Sequence, residues 1–114
     1  FADAELAYSS FDKACRVFRY VWNGMHQGQY GGNKALNERR IHPTQKPVKL
    51  YEWLLQKYAI PGMKILDTHF GSASLEVACA NLGFLVSACE IDKDYFLSGK
   101  DRIEAAYAQR RLFA

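Results

Sequence analysis

Residues 64–67 (KILD) form a short apolar run closed by an acid, and residues 85–90 (LVSACE) form a second one closed by another. Between them, residues 74–82 (SLEVACANL) carry apolar positions at helical spacing and stop at Gly83, a residue suited to a helix end. Strand, helix, strand is therefore predicted. Before this unit, Leu50, Trp53, Leu54, Leu55 and Tyr58 recur with a helical period over residues 48–58. Pro47 suits the first turn of that helix, and Pro61-Gly62 breaks the chain after it. After the unit, residues 93–111 form a long helix with Phe96, Ile103, Ala106 and Tyr107 near one face. Upstream, residues 5–9 (ELAYS) make a short strand. Residues 15–22 alternate Val17, Arg19 and Val21 against Arg16, Phe18, Tyr20 and Trp22, which predicts another. Residues 23–40 are rich in Gly and Asn, have no apolar period, and read as a loop. Helix, strand, helix, strand, helix implies parallel strands joined by right-handed crossovers: an α/β sheet with residues 65–90 as one βαβ unit.

Composition narrows the picture. The chain has 114 residues, enough for one small domain, and 49% hydrophobic residues, which is globular rather than disordered. No apolar run reaches the roughly 20 residues a membrane helix needs. The first residues, FADAELAYSSFDK, have neither a basic region nor an apolar one, so they are no secretory signal. They also lack a starting Met, and the chain is expected to be a piece of a longer one. A net charge of +3 is a weak pointer to an anionic partner. Cys15, Cys79 and Cys89 have no paired spacing; Cys79 and Cys89 lie in apolar runs and read as buried reduced thiols of a cytosolic protein. His26, His42 and His69 have no ligand spacing, so no metal is assigned.

The two acids carry the chemistry. In open parallel sheets, ligands bind outside the carboxyl ends of the strands, where Asp67 and Glu90 stand. Gly71 allows backbone to approach a ligand, and the helix starting near Ala73 points free N–H groups at the same place. Glu90 follows Asp67 by 23 positions, near the spacing at which dinucleotide folds put an acid on a ribose. The turn is not GxGxxG, however, and an acid beside a pyrophosphate is repulsive. A cationic, ribose-bearing cofactor without phosphate fits better, and S-adenosylmethionine has that chemistry. The plain alternative is a loop Asp and a solvated strand-end Glu.

His42-Pro43-Thr44-Gln45-Lys46-Pro47 adds a second motif. With it the chain resembles the DNA amino-methyltransferases that make N6-methyladenine or N4-methylcytosine, in the permuted class whose cofactor motifs lie C-terminally. In that family HPTQKP precedes a helix, a strand then ends in an Asp-Pro-Phe-x-Gly-Ser-Gly-like turn, and a later strand ends in Glu followed by x-Asp-x-x-Tyr-Phe. Here HPTQKP is complete, followed by Asp67 with Phe70-Gly71-Ser72, then Glu90-Ile91-Asp92-Lys93-Asp94-Tyr95-Phe96. The resemblance covers residues 41–111. It implies a partial Rossmann-like methyltransferase sheet with helices on both faces. It places Thr44 and Lys46 at the methionine end of S-adenosylmethionine, Asp67, Phe70, Gly71 and Ser72 in the loop beneath it, Glu90 on the ribose and Ile91 on the adenine. Thr68, His69 and Ala73 depart from the family's Pro, Phe and Gly, and Ala73 is expected to add a methyl group where the cofactor passes.

The family's catalytic Asp/Asn/Ser-Pro-Pro-aromatic motif is missing: the only prolines are Pro43, Pro47 and Pro61. No catalytic residue is assigned in this chain, and the motif is expected upstream of Phe1. Residues 1–22 then resemble the last strands of the catalytic half, residues 23–40 a basic Gly-rich loop, and residues 41–114 the cofactor-binding region. Lys34, Arg39 and Arg40 are candidates for phosphate contacts on double-stranded DNA, which position a protein without reading sequence. The expected enzyme is cytoplasmic, methylates an exocyclic amino group, and favours adenine N6. This chain by itself is expected to be inactive, and to self-associate or pair with the missing N-terminal half. A non-catalytic nucleotide-binding α/β module is the alternative, and an RNA or protein methyltransferase is disfavoured by HPTQKP. Phage and restriction-modification origins both stay open.

Overall fold

The computed structural model describes residues 4–22, 27–28 and 37–113. In chain order its elements are β1 (Val21–Trp22), β2 (Gln27–Gly28), α1 (Val48–Tyr58), β3 (Lys64–Asp67), α2 (Ser74–Leu82), β4 (Leu85–Ala88) and α3 (Lys93–Phe113). β1 and β2 pair antiparallel, Val21 opposite Gly28. β3 and β4 pair in parallel, from Lys64 opposite Leu85 to Asp67 opposite Ala88. Two main-chain bonds carry this pairing past the strand ends, Cys89 N–H to Asp67 O and Phe70 N–H to Cys89 O, both 3.0 Å. The loops that follow the two strands are thereby held side by side.

α2 is the centre of the packing. Its Ala78, Cys79 and Ala80 are fully buried, and such small side chains let α1 and α3 approach from either side. α1 contributes Val48 and Leu55 with Tyr51 beside them, and the sheet contributes Ile65 and Val86. α2 ends in a left-handed Gly83, φ +83°, and the Phe84 N–H reaches back to Cys79 O at 3.0 Å. The orphan carbonyl of Ala80 is taken by Arg110 of α3 at 2.9 Å. Nearer its start, α3 passes close over the turn that opens α2. It does so only because residue 99 is glycine: a Cβ there would sit 2.6 Å from the Phe70 ring and 3.3 Å from the Ala73 Cβ.

Several expectations need correction. Residues 5–9 are not a strand, and of residues 15–22 only Val21–Trp22 is. Instead of pairing as a strand, this stretch lays aromatic rings against one another and on α1. Phe18 stacks on Tyr20 at 5.7 Å and tilts against Trp53 at 5.4 Å, and Phe11 stacks on Tyr58 at 5.1 Å. β4 stops at Ala88, so Glu90 follows the ladder rather than closing it, and α3 runs on to Phe113. Cys79 is buried, but Cys89 is exposed, as is Cys15; all three are free. Helices on both faces are not found among the described residues: α1, α2 and α3 form one row through α2. Ile65 and Val86 meet that row, whereas Leu66 and Leu85, pointing the other way, are 71% and 65% exposed. The strands are apolar on both sides, the pattern of a doubly covered parallel sheet, and no described element covers the Leu66 and Leu85 side. The expected loop over residues 23–40 lies mostly outside the described residues.

Candidate functional site

A cavity of about 460 Å³ opens at the carboxyl ends of β3 and β4. Three segments build its wall. The first is residues 42–46, where His42, Thr44, Gln45 and Lys46 all contribute. The buried Gln45 side chain folds this segment: its Oε1 accepts the Ile41 N–H at 2.8 Å and its Nε2 donates to Arg39 O at 3.2 Å. Its own carbonyl accepts the Trp22 indole N–H at 3.1 Å. His42 packs on Tyr95 with ring centroids 4.3 Å apart, and its Nδ1 pairs with the Thr44 hydroxyl at 3.0 Å.

The second segment is the turn after β3. Asp67, His69, Phe70, Gly71, Ser72 and Ser74 line the cavity here. Asp67 accepts the His69 N–H at 3.1 Å, so its carboxylate shapes its own loop. Gly71 is left-handed at φ +55°, a conformation that favours glycine. Ala73 is left-handed too, at φ +66°, although it carries a side chain. That side chain is fully buried and faces Gly99, away from the cavity. Ala73 does not line the cavity. The third segment is Glu90, one of whose oxygens accepts the Gly71 N–H at 3.2 Å. One Glu90 oxygen thus holds the turn.

Of the eight residues expected around a cofactor, Thr44, Lys46, Asp67, Phe70, Gly71, Ser72 and Glu90 lie on this one wall. Ile91 does not; it is 99% exposed beside the cavity. Lys46 is held in an ion pair with Glu5 at 2.7 Å. Arg39 is exposed, but Arg40 is engaged: its guanidinium lies 4.5 Å from the Trp22 ring centre and donates to Trp22 O. Lys34 lies outside the described residues. No group of residues able to hold a metal is found among those described.

Sequence reasoning missed what lies behind the wall. Glu76 of α2 is 1% exposed, and no donor among the described residues reaches either oxygen; only a protonated carboxyl can bond the neighbouring Asp67. Burial first, then the nearby Asp67 carboxyl, push its pKa from 4.5 up to about 8, against a smaller pull from Arg102. The same surroundings push the Cys79 thiol up to about 11, burial again leading. Tyr51, on the cavity wall, is also raised, mainly by burial. Arg102 and Glu38 form a second unforeseen pair, 2.5 Å apart. Nothing in the spacing around residue 76 marks a buried acid, and no local pattern announces a contact across 64 positions.

Cavity and residues fit a cationic, ribose-bearing group such as S-adenosylmethionine. The volume falls within the about 300–1,000 Å³ of small-molecule sites. Two carboxylates suit the positive charge and the diol, and Lys46 suits a ligand carboxylate.

Comparison with known proteins agrees with this chemistry. A family profile described as DNA methylase, of the N6/N4 type, matches residues 3–101. The Type II methyltransferase M.HpaI of Haemophilus parainfluenzae is 33% identical over 87 residues, 76% of this chain and 26% of that protein. YubD of Escherichia coli (strain K12), a methylase by name only, is 32% identical over 77 residues, 68% of this chain and 31% of that protein. The chain thus spans about a quarter to a third of the curated relatives it matches.

Proposed function

The chain belongs to the N6/N4 DNA methylase family, and on that premise we propose that it forms the cofactor-binding part of a DNA methyltransferase of the permuted class. The enzyme moves a methyl group from S-adenosylmethionine to an exocyclic amino group of double-stranded DNA, adenine N6 in preference to cytosine N4, in the cytoplasm. The observation that carries this reading is the convergence of HPTQKP, the turn after β3 and Glu90 on one cavity.

S-adenosylmethionine supplies an electrophilic methyl group when bound. The residues of this chain hold and orient. Glu90 keeps one oxygen on the Gly71 N–H and offers the other to the ribose diol. Lys46 leaves Glu5 and takes the methionine carboxylate. Asp67 puts negative charge near the sulfonium, and Phe70 supplies the apolar floor of the turn. Arg39 reaches a DNA phosphate. Acceptors for the amino hydrogens and an aromatic to stack the flipped base come from a Pro-Pro-aromatic motif that these 114 residues lack.

The test has two parts. Calorimetry of the 114 residues with S-adenosylmethionine checks the cavity; the expected result is binding. Transfer of a labelled methyl group to genomic DNA is then compared between these residues and the full-length protein. Transfer is expected only from the longer chain. Robust transfer by the 114 residues alone overturns the division of labour. Binding without transfer by either chain favours the nucleotide-binding module.

A further inference from the structure

Arg102 and Glu38 stand outside the cavity, yet their contacts converge on it. Arg102 Nη1 donates to Ser72 O and to Ser74 Oγ, both at 2.9 Å. These two acceptors flank Ala73, the left-handed residue of the turn that carries a side chain. Arg102 Nη2 donates to Glu38 Oε1 at 2.5 Å, and the two side chains are only 18% and 19% exposed. The other Glu38 oxygen accepts the Val48 N–H at 2.9 Å, a bond that caps α1 where Pro47 cannot. Glu38 is itself clamped by Gln27 of β2: its N–H donates to Gln27 Oε1 at 2.7 Å, and its carbonyl accepts from Gln27 Nε2 at 3.1 Å.

We propose that Glu38 and Arg102 are a positioning pair that sets the affinity of the cofactor turn from outside the cavity. The proposal rests on the cofactor reading given above. A non-glycine residue at φ +66° is strained and persists only where its surroundings hold it. Arg102 is that restraint, because it fixes the peptide before Ala73 and the side chain after it. Arg102 is fixed in turn by Glu38. Remove the Glu38 charge, and a half-buried guanidinium loses its only carboxylate partner among the described residues. It then holds the turn loosely, although residue 38 never touches the turn. Ser72 and Ser74 line the cavity, so the loosened turn meets the ligand directly.

The experiment uses the full-length protein with S-adenosylmethionine as probe. Calorimetry and deuterium exchange are measured for wild type, Glu38→Gln, Arg102→Lys, Arg102→Gln and the Glu38→Gln/Arg102→Gln double variant. Glu38→Gln and Arg102→Gln are each expected to weaken binding by on the order of tenfold, the double variant no more than the worse single, with Arg102→Lys between. Amides of residues 71–75 are expected to exchange faster in Glu38→Gln, a change a merely stabilising role does not localise there. If a charge change unfolds the protein, Ser74→Ala, which removes one Arg102 acceptor, must show the same localised exchange. A wild type that fails to bind overturns the cofactor reading and the pair together. A wild type that binds, with Glu38→Gln unchanged in affinity and in exchange at 71–75, overturns the pair alone, as do additive losses.

Discussion

Replacing Glu76 by Gln tests how the interior behind the cavity is charged. In the folded protein its carboxyl titrates at about 8, against 4.5 in an exposed state. Below about pH 4.5 the group is protonated folded and unfolded, and its burial carries no ionic penalty. Between the two values the unfolded chain releases the proton and the folded one keeps it. Stability therefore falls as pH rises, by about 1.4 kcal/mol per unit, and levels off once the folded group ionises. Over the whole window the loss is on the order of 5 kcal/mol, comparable to the total stability of many small domains. Gln is nearly isosteric and does not titrate, so the variant lacks this slope. Its amide can donate to Asp67 in place of the protonated Glu76 carboxyl, so no large fixed cost accompanies the change. Urea unfolding followed by Trp22 and Trp53 fluorescence from pH 5 to 8.5 gives the stability of both proteins. The wild type is expected to lie close to the variant at pH 5 and to be the less stable at pH 8.5. Groups remote from Glu76 cancel in the difference, and Cys79 lies above the window at about 11. A difference that stays constant with pH refutes the buried, uncharged Glu76.

Three further outcomes follow from the same geometry. Glu90→Ala is expected to weaken S-adenosylmethionine binding by about 1–3 kcal/mol by calorimetry; Glu90→Gln, which can still accept the Gly71 N–H, loses less, and an unchanged affinity in both removes Glu90 from the site. Arg39→Ala in the full-length protein is expected to weaken binding to all duplexes alike and to flatten the salt slope by about one unit, measured by fluorescence anisotropy; a loss confined to one base position means Arg39 reads sequence instead. Gly99→Ala is expected to destabilise the protein by about 1–3 kcal/mol in thermal unfolding, although alanine is the better helix former, because its Cβ meets the Phe70 ring; a stabilised variant shows that α3 can shift away at no cost.

The legible part of the structure was the part governed by local periodicity. α1, β3 and α2 begin and end where apolar spacing, Pro47, Asp67 and Gly83 put them. The wall of the cavity was legible because its residues sit in contiguous motifs. The aromatic run at residues 15–22 misled because alternation supplies no partner strand by itself, and among the described residues only Val21–Trp22 finds one. Cys89 misled, since apolar neighbours in sequence are an average that a particular fold overrides, and nothing local marked Glu76 as buried. Arg102 and Glu38 could not be read at all: their meeting depends on α3 folding back over a turn made 30 residues earlier.

The crossing of α3 over that turn has an evolutionary consequence. Phe70, Ala73 and Gly99 share a space with no spare methyl group, since one added at residue 99 strikes both of the others. A side chain at 99 requires something smaller than Phe at 70, and a larger residue at 73 requires the helix to retreat. In relatives that keep this crossing, the three positions should therefore covary as a set, the signature of direct contact. Changes at any one of them should be found only in company.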